Sequence, residues 1–79
     1  MLKLKNIEKN SEIISAEYDP EDSGRLGKVV LDAKSGNLLN YDLSEIDTVL
    51  PIYLNHAIDA LKELRLKEFM PKEKTVMWH

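Results

Sequence analysis

The sequence predicts an α+β fold: a small antiparallel β-meander of about four strands packed on one long C-terminal helix, with a short terminal strand or tail. Two observations carry that prediction. From Thr48 to Phe69, apolar residues recur at Leu50, Tyr53, Leu54, Ala57, Ile58, Leu61 and Leu64, the three-and-four spacing of a helix with one oily side. Everything before that stretch divides into short segments bounded by turn residues, the mark of strands.

Taken in order, Leu2 to Glu8 begins as a half-buried strand, with Leu2 and Leu4 on one face and Lys3 and Lys5 on the other. Lys9-Asn10-Ser11 is a turn, since asparagine tolerates left-handed backbone angles. Glu12 to Tyr18 is a second strand that places Ile14, Ala16 and Tyr18 together. The Asp19–Gly24 loop follows, where Pro20 has no amide donor for a sheet ladder and Gly24 frees the backbone. Gly27 to Ala33 is a third strand, Lys34–Asn37 a tight connection with Gly36 at positive φ, and Leu38 to Leu43 a fourth strand. Asp47 or Thr48 caps the helix, Pro51 suits its first turn and Pro71 marks its end. Thr75 to Trp78 is either a fifth, short strand or a tail whose tryptophan packs on the sheet or the helix. The expected core joins the helix stripe to Leu4, Ile14, Ala16, Val29, Leu31, Leu39 and Tyr41.

Seventy-nine residues read as one domain, 1–79, and a domain of this size buries proportionally little of its surface. With no cysteine, neither a disulfide nor a cysteine-based zinc site stabilises it. The net charge of −3 comes from mixed signs, with basic residues scattered along the chain, so nucleic acid is not an expected partner. No apolar stretch is long enough to span a membrane, and the first residues lack the apolar core of a signal peptide. The expected setting is the cytoplasm, with no membrane partner.

Candidate sites are few. Asp19, Glu21, Ser23 and Gly24 fit the start of a calcium-loop register, but its twelfth position is Val30 rather than a bidentate glutamate. The alternative is a solvated loop, and the residues leave open whether 19–24 takes a cation. His56, Asp59 and Glu63 share one helix face, which is also the polar face expected to meet water. No serine sits in a nucleophile elbow, and Gly24-Arg-Leu-Gly27 opens into a strand rather than the helix that phosphate binding needs. No catalytic, cofactor-binding or metal-ligating residue is therefore assigned.

The remaining signal is apolar. Ile52, Leu66 and Met70 fall opposite the main helix stripe, and Val76 and Trp78 lie on the terminal segment. These five form a candidate interface. The expected function is a non-catalytic protein–protein interaction module that self-associates as a homodimer. The alternative is a small ligand-binding protein or enzyme with a pocket at the helix–sheet edge, near Tyr53 or His56.

Overall fold

Alternating apolar residues in the first three strands become one covered face of a sheet. A computed structural model describes residues 1–47 and 51–77. It contains β1 (Leu2–Lys9), β2 (Ile13–Pro20), β3 (Gly27–Asp32) and β4 (Leu38–Asp42), then a short 3-10 turn (Glu45–Asp47), helix α1 (Ile52–Leu64) and β5 (Lys74–Val76). All neighbouring strands pair antiparallel, in the order β4-β3-β2-β1-β5. The meander is as expected, and the terminal segment is a strand over Lys74–Val76, placed beside β1.

Leu2, Leu4, Ile14, Ala16, Tyr18, Val29 and Leu31 point to one side and are buried there. Strict alternation would turn Ile7 away from them. A bulge between Lys5 and Glu8, with Asn6 at φ 51°, shifts the phase by one residue and returns Ile7 to the core. Asparagine serves there because its short polar side chain tolerates the left-handed region. Asn10 works differently: its side-chain oxygen accepts the N–H groups of Glu12 and Ile13, both at 2.8 Å, and tightens the first hairpin. Gly36 has φ +79°, as expected of the β3–β4 turn. Gly27 answers a different need, since it lies directly opposite Tyr18 and the tyrosine ring rests where a Cβ would stand.

Leu54, Ala57, Ala60, Leu61 and Leu64 are the buried face of α1. The N-terminus of the helix is held by a side chain from upstream. Asp47 accepts the backbone N–H groups of Tyr53 at 3.2 Å and Leu54 at 2.7 Å, which satisfies amides that have no partner within a helix. The same carboxylate accepts the Tyr18 hydroxyl at 3.2 Å, and that hydroxyl in turn accepts the Ser44 backbone N–H at 2.9 Å. Tyr18, Ser44 and Asp47 are almost fully buried, so this network ties sheet, turn and helix together. Burial is the first cause that pushes the Tyr18 hydroxyl up to about 12, and the Asp47 charge adds to it. Thr48 and Leu50 lie outside the described residues.

The helix is shorter than its sequence pattern, ending at Leu64 rather than near Phe69. Its 13 residues span about 20 Å, against about 26 Å for the 8-residue strands β1 and β2. A helix from Thr48 to Phe69 would reach about 33 Å and run past the sheet, where its last turns would bury nothing. The end is also fixed chemically. Lys9 donates its ammonium to the backbone oxygen of Arg65, and Arg65 donates to the Lys34 carbonyl at 3.0 Å. Leu66 and Met70 therefore do not continue the helical face, and Met70 turns back to pack against the core.

A second correction concerns β4. Leu39 and Tyr41 were expected beneath the helix, yet they are 54% and 47% exposed. A helix is about 10 Å across and strands are about 4.8 Å apart, so one helix covers only part of a five-stranded sheet. α1 lies chiefly over β2 and β3, leaving β4 beyond its edge.

Candidate interaction surface

The uncovered strand collects the exposed apolar residues. Every residue of β4 is exposed, including Leu38, Leu39 and Tyr41, and Leu43 and Ile46 extend the strip just beyond it. Tyr41 pairs with Val29 and Leu38 with Leu31, so both project to the side that α1 occupies. The register slips between these two pairs, and Leu39 is the extra residue. It lines a concavity on the opposite side with Ile13, Asp32 and Lys34. Large apolar groups thus stand on both faces of an edge strand, a pattern that belongs to strands covered on both sides.

The other edge is built differently. β5 is three residues long, carries Lys74, and keeps Val76 partly buried against the core. Short length and a lysine are ordinary protections of a free edge.

The five residues singled out in the sequence are dispersed. Ile52 is 48% exposed at the start of α1, and Leu66 is 73% exposed just past its end. Met70 and Val76 are partly buried and pack on the core of their own chain. Trp78 lies outside the described residues. Phe69 at 85% and Met77 at 75% are more exposed than the four of these five that lie within the described residues, and neither was among the interface candidates. Leu38, Leu39, Tyr41 and Leu43 were not interface candidates either, although the run Leu-Leu-Asn-Tyr-Asp-Leu carries its own clue in apolar residues at neighbouring positions.

The polar candidates are largely engaged within the chain. Asp19 is fully buried and accepts from Gly24 N–H at 2.9 Å, Ser23 Oγ at 3.3 Å and Lys5 Nζ at 3.0 Å. Burial alone would raise its pKa; the bonds from Lys5, Gly24 and Ser23 outweigh that and hold it below the usual range. Glu21 accepts from the terminal ammonium at 2.7 Å and the Tyr53 hydroxyl at 3.1 Å, and Asp22 lies 3.6 Å from Lys3. The loop's carboxylates thus bind cations and donors from β1, the N-terminus and α1, and from the loop itself. Among the described residues, no group of three or more histidine, cysteine, aspartate or glutamate side chains could hold a metal ion.

His56, Asp59 and Glu63 line an open groove of about 300 Å³ between α1 and β5, together with Lys74, Thr75 and Met77. On the outer sheet face, pairing aligns Asp42, Lys28, Glu17 and Lys5 across four strands, so charges alternate in sign. No helix among the described residues is long and apolar enough to cross a membrane. Comparisons of the chain with protein families, with curated proteins and with solved structures find no match.

Proposed function

We propose that this protein is a non-catalytic interaction module of the cytoplasm that works by binding another protein chain, in the first instance a second copy of itself. The observation that carries this reading is the β4 strip: Leu38, Leu39, Tyr41, Leu43 and Ile46 lie exposed along one edge of the molecule. Covering such side chains supplies the main driving force of protein association, at roughly 25 cal/mol per Å² of apolar surface. Exposed single apolar residues are ordinary, whereas a run of them along an unprotected edge marks a contact. The small size of the chain supports the same reading, because a second subunit adds buried surface that one subunit lacks.

Sedimentation velocity from about 1 to 500 µM tests it. The expected result is a shift from monomer to dimer as concentration rises. A monomer throughout would overturn self-association.

A further inference from the structure

We propose that two copies join through β4, edge to edge and antiparallel about a two-fold axis at Tyr41, forming one continuous sheet. This rests on the self-association proposed above and adds its geometry. The backbone N–H of Tyr41 donates to the side-chain oxygen of its neighbour Asn40 at 2.8 Å. Asp32 N–H donates across the turn to Asn37 C=O, so the alternate β3 residues Val30 and Lys28 also bond toward β4, at Asn40 and Asp42, and Tyr41, opposite Val29, turns its own amide to the open edge. Asn40 thus stands in for a missing strand.

A two-fold axis at Tyr41 makes the edge complementary to itself. The N–H of each Tyr41 donates to the C=O of the other, and the Asn40 side chain is released. Asn40 then stands opposite Asp42 of the other copy on the outer face, an amide donor facing a carboxylate. The charged side chain of β4 meets an amide rather than its own like. On the helix side the two Tyr41 rings adjoin. An isologous contact of this kind closes at two copies, whereas a head-to-tail contact can continue into a filament.

The chain has no cysteine, so single cysteine variants report the axis directly. Tyr41→Cys places two thiols across the axis, where directly opposed residues have Cα atoms about 5.5 Å apart, within disulfide reach. The expected result is a covalent dimer that forms under mild oxidation and keeps the far-ultraviolet dichroism of the parent. Thr75→Cys, on the other edge, should remain mostly unlinked. Tyr41→Lys sets two ammonium groups against each other and should weaken dimerisation at least tenfold while the fold persists. A Tyr41→Lys protein that dimerises like the parent, or linkage at Thr75→Cys as fast as at Tyr41→Cys, overturns the β4 axis and leaves self-association standing. A parent chain that stays monomeric overturns both.

Discussion

Strands β2 and β4 each turn a tyrosine toward the layer that α1 occupies, and the two side chains have opposite fates. Tyr18 is wholly enclosed, donates to Asp47, accepts from Ser44 and rests on Gly27. Tyr41, two strands away, is 47% exposed. Residue type and facing do not separate them; lateral position under a helix about 10 Å wide does. The covered strand is where the chain invests its stability, and the uncovered strand is where we propose that it meets a partner. Substitutions in the two regions should therefore part in their effects: folding in one, association in the other.

The largest contrast is expected between Leu61, fully buried on α1, and Leu39 on β4. Leu61→Ala should cost about 2–5 kcal/mol in urea unfolding, the range for a buried leucine that leaves a cavity. Much of a small domain's stability would be gone. Leu39→Ala should cost the monomer under about 0.5 kcal/mol, as exposed sites do. A loss above about 2 kcal/mol at Leu39 would break the comparison, because it would mean that β4 is already covered within one chain.

Next in size is the Asp47 network. Asp47→Ala strands the Tyr53 and Leu54 amides and removes the acceptor of Tyr18, so it should cost about 1–3 kcal/mol. Asp47→Asn keeps an acceptor and should lose less. The same network contributes to the alkaline limit. Tyr18 has its pKa raised from 10.0 to about 12, so its contribution is fully present below the unfolded value and is lost as pH rises through the folded one. That contribution is on the order of 2–3 kcal/mol at full expression. Ultraviolet titration should find one tyrosine ionising near pH 12 in the folded protein, with stability falling between about pH 10 and 12. Tyr18→Phe should flatten that fall. An unchanged fall would place its cause elsewhere. On the acid side, Asp19 has a lowered pKa, so its contribution holds above the unfolded value and fades as pH drops through the folded one.

The same comparison shows what a linear pattern can reveal. Alternation identified the inward face at Ile14, Ala16, Tyr18, Val29 and Leu31, because strand period depends only on the local backbone. Helical spacing identified Leu54, Ala57, Leu61 and Leu64 for the same reason. Asp47 was legible as a cap, although it reaches the helix from upstream of Pro51. The uncovered state of Tyr41 was not legible, since periodicity says which side a residue faces and not which strands a helix overlies. The helix end at Leu64 escaped because contacts distant in sequence, from Lys9 and Lys34, set it. Ile7 joined the core through a bulge that alternation cannot announce. Leu66 and Met70 were placed on the helix because its end was not legible, and both lie beyond that end at Leu64.

The smallest expected effect is the sharpest test of the division. Tyr41→Thr keeps a side chain suited to strands and removes only aromatic surface at an exposed site. At about 1 µM, where the monomer dominates, its urea midpoint should match the parent within about 0.5 kcal/mol. At about 500 µM the parent should gain stability by mass action, since a dimer binds only folded chains, and the variant should gain less. A variant weaker than its parent by the same amount at both concentrations would make Tyr41 a folding residue, like Tyr18. A difference that grows with concentration keeps the two strands in separate roles: β2 sets whether the chain folds, and β4 sets what the folded chain meets.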